Sequence, residues 1–448
     1  MRRISFILIC LFIFNSNAQT DPKIYDIIDA VSEDRLRQDV KTLADFGTRH
    51  TLSDTLSDTR GIGAARRWIK SQFDNISKDC GDCLEVFFQK DLVKKGANQR
   101  IIKDVMVVNV VAIQRGTKYP NRYIIMSGDI DSRISDPTNF TDDSPGANDN
   151  ATGMAGAIEA ARVLSKYKFE SSIVYLGLSG EEQGLFGGQG MARYAKENNW
   201  EIIGVLNNDM IGNIEGVDGV IDNRTFRIFS EPITTDITDA EQLKRAARLR
   251  RFYGGEVDGI SRQLARYVHQ TTKTYMPEMN PVMVYRLDRF GRGGHHRPFN
   301  DIGFAGIRIM EAHENYTQQH QDIRTENGIN YGDTFEHVNF PYCKKLTAVN
   351  AITMANIASA PPAPTNVGIG GIVEASAKFK WNKVDGAVGY KIYWRDTTSA
   401  TWDNSRYVGD VSEHTLKGIV IDNFLFGIAA VGKDGHESVV VFPNKIIR

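Results

Sequence analysis

The chain has 448 residues, with 54 basic against 55 acidic side chains, 41% hydrophobic and 24% charged residues. That length supports two or three domains with sizeable cores, so no disulfide scaffold is needed to hold the fold. A near-zero net charge without a concentrated basic patch argues against nucleic acid or an anionic membrane as a partner.

The chain opens with Arg2 and Arg3, an apolar run from Ile4 to Phe14, and the small residues Ser16-Asn17-Ala18. That order is the one a secretory signal peptide follows, with cleavage expected before Gln19. The apolar run is too short to span a bilayer, and Ile9 before Cys10 is too large for a lipoprotein cleavage site. Residues 1–18 therefore read as a signal peptide of a secreted (periplasmic or extracellular) protein, and no later segment reads as membrane-inserting. Cys80-Gly81-Asp82-Cys83 is expected to be a local disulfide or two free thiols, because a zinc knuckle needs a second pair. Cys343 sits in an apolar stretch and is expected to be buried.

Leu36, Val40 and Leu43 recur at helical spacing and predict a helix over 34–46. Gly61 to Phe73 predicts a second amphipathic helix. From there strands and helices alternate. Val105–Ile113, Arg122–Met126, Ser172–Leu178, Ile202–Leu206 and Phe304–Ile309 read as strands. Asn150–Leu164, Gly188–Asn198, Ser261–Thr274 and Pro341–Ala358 read as helices. Continuous apolar strands alternating with helices predict an α/β fold, with a doubly wound, mostly parallel sheet covered by helices on both faces. This domain is expected over residues 19–359. The run Ala360-Pro361-Pro362-Ala363-Pro364 predicts a semi-rigid linker over 360–366. Beyond it, residues 367–448 show short alternating strands at Ala377–Trp381, Val388–Trp394, Phe424–Val431 and Ser438–Phe442. Trp381 and Tyr390 suit the inward anchors of a small all-β sandwich, and the pattern resembles a fibronectin type III domain.

Four strand ends carry the chemistry. The first strand end is Asp129-Ile130-Asp131-Ser132. Next come the loop Ser144-Pro145-Gly146-Ala147-Asn148-Asp149-Asn150, the turn Gly180-Glu181-Glu182-Gln183-Gly184-Leu185, and Asn207-Asn208-Asp209. Strand C-termini of an open parallel sheet converge on one crevice. Acids gathered there repel one another unless cations neutralise them, and carboxylates with imidazole suit zinc. Singly, each residue also fits an ordinary turn or cap; the ordered set at strand ends is what points to a metal centre.

The motifs S-P-G-A-N-D-N, G-E-E-Q-G-L and N-N-D-M resemble those of the M28 family of zinc peptidases, over about residues 30 to 358. The resemblance implies a pair of zinc ions per chain bridged by Asp149, with Glu182 on one and Asp209 on the other. It implies Glu181 as general base. Two metals sharing a water lower its pKa and polarise the scissile carbonyl, while an unligated carboxylate moves the proton. The sequence departs from the family twice. Asp129 stands where a histidine ligand is expected, and Gly293-Gly294-His295-His296 where an Asp-His pair is usual. A swap is expected, with Asp129 still a ligand, Asp131 behind it, and His295 supplying an imidazole or a supporting contact. The last ligand is expected to be His320, with His295 and His313 as alternatives. Arg289 and Arg292 read either as receivers of a substrate carboxylate or as salt-bridge partners of neighbouring acids.

The function these readings imply is a secreted two-zinc exopeptidase acting on peptides, foremost an aminopeptidase. The alternatives are a carboxypeptidase or dipeptidase of the same fold, a one-zinc glutaminyl cyclase, and a non-catalytic binding protein. The C-terminal sandwich is expected to bind carbohydrate or protein, dock on the catalytic domain, or act as a spacer.

Overall fold

The computed structural model describes residues 20–232, 240–253 and 259–447. The expected signal peptide lies outside them. Two capped helices begin the described chain. Asp21 accepts from the amide of Lys23 and starts α1 (Pro22–Ala30), with proline in its first turn. Ser32 accepts from the amide of Arg35 and starts α2 (Glu33–Asp45). The periodic residues Leu36, Val40 and Leu43 are its buried stripe. The third helix, α3, runs from Gly61 to Asp79. Cys80 and Cys83, just after it, are disulfide-bonded, and Cys343 is free and buried.

An eight-stranded sheet follows, in the order β1-β2-β4-β3-β5-β8-β6-β7. Its strands are β1 (Leu84–Val93), β2 (Val105–Gln114), β3 (Tyr119–Asp129), β4 (Ser171–Leu178), β5 (Glu201–Asn208), β6 (Thr225–Phe229), β7 (Asn280–Val284) and β8 (Gly306–Glu311). The centre β4-β3-β5-β8 is parallel, as is the β6–β7 pair. The pairs β1–β2, β2–β4 and β6–β8 are antiparallel, so the sheet is more mixed than its apolar runs suggest.

The central strands are buried on both faces. Ile124, Met126, Val110, Ala112, Ile173 and Tyr175 pack into one cluster with α1 to α3, α4 (Gly153–Leu164), α7 (Ile260–Tyr275) and α9 (Phe340–Ser359). Their neighbours Tyr123, Ile125, Val111, Val174 and Leu176 pack on the opposite side against Met191, Ala192 and Ala195 of α5 (Phe186–Glu197) and Phe299 of α8 (Arg297–Asn300). This alternation is the period-2 geometry of a strand covered twice. The start of α4 sits directly on the end of β3. A Cβ placed on Gly128 would lie 2.4 Å from the Gly153 carbonyl carbon, so glycine is needed at that contact.

Between α5 and α9 lie α6 (Ala240–Tyr253) and a short hairpin, β9 (Arg324–Glu326) and β10 (Ile329–Tyr331). After α9 the chain forms seven further strands in two sheets. One holds β11 (Thr365–Gly370), β12 (Ala377–Asn382), β15 (Glu413–Leu416) and β17 (Lys445–Ile446); the other holds β13 (Gly389–Asp396), β14 (Asn404–Gly409) and β16 (Phe424–Val431). Val367, Phe379 and Trp381 face Tyr390, Ile392 and Phe426 in a shared core. The expected strand over 438–442 makes only isolated bridges beside β16, from Glu437 to Val431 and from Val441 to Ile428. This C-terminal unit rests on α1, α7 and α9. His436 bridges Asn356 (2.9 Å) and Asp21 (3.0 Å), and Tyr267 donates to the Glu437 carbonyl at 2.9 Å.

Candidate metal centre

Parallel β3, β4 and β5 end at one edge of the sheet, and their following loops bring the acids together. Asp129 is the last residue of β3, Glu181 and Glu182 follow β4, and Asp209 follows β5. Asp149 arrives from the irregular turn at 147–152 that leads into α4, where the Asp149–Asn150 peptide is cis.

At the centre, His320 Nε2 lies 2.9 Å from Asp149 Oδ2 and 2.9 Å from Glu182 Oε1. The ligand atoms of Asp149, Glu182 and His320 all fall within 4.8 Å of one another, and among the described residues they form the one such group of three. His320 reaches this place from the loop between β8 and β9, just before the β9–β10 hairpin. His313 does not join them; its Nε2 lies 4.0 Å from Asp222.

Several buried groups hold these side chains in place. Both oxygens of Asp333 accept backbone amides, from Asn148 (2.8 Å) and Asp149 (2.6 Å), and Gln319 donates to Asp149 Oδ2 at 3.1 Å. Asp131 accepts the amides of Glu181 (3.2 Å) and Glu182 (3.0 Å) and the Thr51 hydroxyl (3.1 Å). It therefore fixes the turn that carries both glutamates. Arg49, fully buried, donates to the carbonyls of Ile130 (2.8 Å) and Gly146 (2.8 Å), tying the β3 loop to the Asp149 loop. Arg133 Nε pairs with Glu182 Oε2 at 2.8 Å, and its Nη2 sits 2.6 Å from His320 Nδ1.

Asp129 and His295, the two positions that depart from the family pattern, are in direct contact. His295 Nδ1 is 2.5 Å from Asp129 Oδ1, and Asn150 donates to Asp129 Oδ2 at 2.8 Å. Asp209 Oδ2 lies 2.8 Å from Arg308 Nη2, while Arg308 Nη1 donates to Asp288 Oδ2 at 2.7 Å. Arg308 and Asp288 are fully buried. Asp209 Oδ1 and His295 Nε2 are buried without a hydrogen-bond partner. Arg289 is engaged by Asp288 (3.3 Å) and Glu314 (2.8 Å), which matches the salt-bridge alternative for that residue. Arg292 is partly exposed, 3.8 Å from Glu314.

Crowding and burial shift the titrations in opposite directions. Burial, reinforced by Glu182, Asp209, Asp129 and Asp149, raises the Glu181 carboxyl well above its usual range. Burial also pushes Asp129 up to about 8 and Asp131 to about 6. Burial works the same way on Glu182, but His320 overrides it and holds Glu182 at about 2; Asp149 is likewise pulled below its usual range by His320. Burial lowers His295 to about 4.

Two carboxylates and one imidazole with room for a fourth donor are the ligand types of a catalytic zinc, so Asp149, Glu182 and His320 fit that ion. An ion held through Nε2 would place the imidazole proton on Nδ1, and Arg133 would keep Glu182 and the Ile134 carbonyl, its other partners here. Sequence reasoning missed Arg308 and Arg133. A charged residue inside the buried run Gly306-Ile307-Arg308-Ile309 was the signal available for Arg308.

Peptidase family M28 matches residues 109–340. A probable zinc metalloprotease of Pyrenophora tritici-repentis is 37% identical over 430 residues, covering 94% of this chain and 98% of the relative. One from Pyrenophora teres f. teres is 39% identical over 430 residues, covering 94% and 87%. In fold, the chain is similar to the LapA aminopeptidase of Legionella pneumophila, with TM-score 0.53, 18% identity and 75% of each chain covered. It is also similar to a leucine aminopeptidase precursor from Bacteroides thetaiotaomicron, with TM-score 0.50, 15% identity and 73% of this chain and 97% of that chain covered.

Proposed function

The chain belongs to peptidase family M28, and on that premise we propose that this zinc metalloprotease is a secreted exopeptidase, specifically an aminopeptidase, with Glu181 as its general base. One observation carries the reading. Three zinc-type donors within 4.8 Å of one another, from Asp149, Glu182 and His320, sit at the strand ends beside Glu181, which is not among them.

A zinc ion bound by those three supplies a Lewis acid that polarises the scissile carbonyl and acidifies water. The protein's own groups do the rest. Glu181 takes a proton from the attacking water and delivers it to the leaving amine. Burial and four nearby carboxylates raise its affinity for protons, which a zinc ion bound beside it would lower. Asp131 holds the amides of both glutamates, an arrangement in which Glu182 would hold the ion and Glu181 would be left to act on the substrate. Asp333 fixes the backbone of Asp149.

Charge favours the amino terminus of the substrate. Around the crevice Arg133 is paired with Glu182, Arg289 with Glu314 and Asp288, and Arg308 with Asp209 and Asp288. Carboxylates remain in excess, an environment suited to an α-ammonium group and unsuited to a terminal carboxylate. Of the two zinc positions the resemblance implies, these three donors meet one. The Cys80–Cys83 disulfide supports export to an oxidising compartment. The C-terminal strands are assigned to a fibronectin type III-like sandwich that braces the catalytic domain.

The test is hydrolysis of a panel of aminoacyl amides and peptides, free and N-acetylated. Cleavage confined to the free amino terminus is expected. Release from the carboxyl end, cyclisation of N-terminal glutamine, or no turnover with zinc bound contradicts the reading.

A further inference from the structure

We infer that this centre holds a single zinc ion, at Asp149, Glu182 and His320, and that the guanidinium of Arg308 takes the place of a second cation beside Asp209. The inference rests on the zinc reading above for its first ion, and goes beyond it in the count and in the role given to Arg308.

The second position would be built from Asp129, Asp149 and Asp209. Their ligand atoms do not come together as those of Asp149, Glu182 and His320 do. Each also has at least one oxygen engaged by protein. Asp129 has one oxygen on His295 Nδ1 and the other on Asn150 Nδ2. Asp149 Oδ2 is shared by His320 and Gln319. Asp209 Oδ2 faces Arg308 at 2.8 Å.

Arg308 has little freedom to leave. It lies on β8 with no exposed surface, and Asp288, itself fully buried, grips its other end at 2.7 Å. Arginine does not deprotonate in proteins. A dication beside Asp209 would therefore meet a fixed positive charge at hydrogen-bond range. Conversely, without a second dication, Asp209 would be a buried carboxylate needing a counter-charge, which Arg308 supplies. Asp209 Oδ1 and His295 Nε2, both buried without a hydrogen-bond partner, are donors left there for a second ion. Neither falls in a three-donor group.

The test is metal counting on the purified full-length protein, equilibrated with excess zinc, freed of unbound metal, and measured by inductively coupled plasma mass spectrometry. One zinc per chain is expected; two, or none, overturns the inference. Asp209→Asn should keep the one zinc and His320→Ala should lose it, with circular dichroism checking the fold of each; loss of zinc in Asp209→Asn places the ion at the wrong side and overturns the inference. Arg308→Met should admit a second equivalent, and a folded variant that still binds one contradicts Arg308 as the excluding group. Two zincs together with cleavage of free amino termini would sink this count alone, whereas no zinc and no cleavage would sink the functional reading with it.

Discussion

Glu181 and Glu182 are chain neighbours with opposite environments. Glu182 is held ionised by His320 and Arg133, and Glu181 is raised by burial and the acids around it. Glu181→Gln removes the base without touching a metal donor. Steady-state kinetics should show kcat reduced by about 10²–10⁴-fold with zinc content unchanged; undiminished turnover would exclude Glu181 as the base. Away from the crevice, Asp39 on α2 is buried and its carboxyl is pushed up to about 7, chiefly by burial. The folded state thus holds this proton more tightly than the unfolded chain. Its favourable contribution is complete below about pH 4 and is lost as pH rises through 7. Asp39→Asn should therefore stabilise the protein by roughly 1–3 kcal/mol at pH 8 and change little at pH 4, as read from urea midpoints; equal effects at both pH values would contradict the shift. At this scale Asp149, Glu182 and His320 were legible as a cluster, because they sit in or near recognisable motifs. Arg308 was not, because its role depends on contacts between distant loops.

At the scale of elements, the site depends on loops tied to one another by buried polar side chains. Asp131 alone fixes the amides of Glu181 and Glu182 and receives Thr51. Asp131→Ala should leave the sheet intact and lower kcat by more than it raises KM, because the base and its neighbour lose their orientation. A purely KM effect would contradict that role. The contact of α4 with β3 is equally specific. A Cβ on Gly128 would meet backbone 2.4 Å away, so Gly128→Val should cost at least about 1–3 kcal/mol in stability by denaturant unfolding; an unchanged midpoint would show that the helix can shift. The central strands and their helices could be read from the sequence because continuous apolar runs report burial on both faces. β1 could not. In Leu84–Val93 apolar residues are interleaved with Glu85, Gln89, Lys90 and Asp91, the pattern of a half-exposed edge strand, and its antiparallel pairing with β2 makes the sheet mixed. The hairpin of β9 and β10 was not read from the sequence.

At the scale of the molecule, the C-terminal sheets are docked on the catalytic domain through buried polar contacts: His436 to Asn356 and Asp21, Tyr267 to the Glu437 carbonyl, and Arg266 to the Ala400 carbonyl at 2.8 Å. Removing residues 361–448 removes those contacts from α1, α7 and α9. A truncated protein should melt several degrees lower than the full chain, and calorimetry of the full chain should show one cooperative transition. Two independent transitions, or an unchanged Tm after truncation, would make the unit a passive appendage. The proline-rich run and the alternating strands made a second unit legible, but its resting place was not, since α7 and α9 carry no sequence mark of which face is covered. The most direct test of the account is anomalous X-ray diffraction at the zinc edge from crystals of the purified protein. A strong peak is expected within coordination distance of Asp149, Glu182 and His320; a zinc-bound protein whose peak lies elsewhere would rule this centre out.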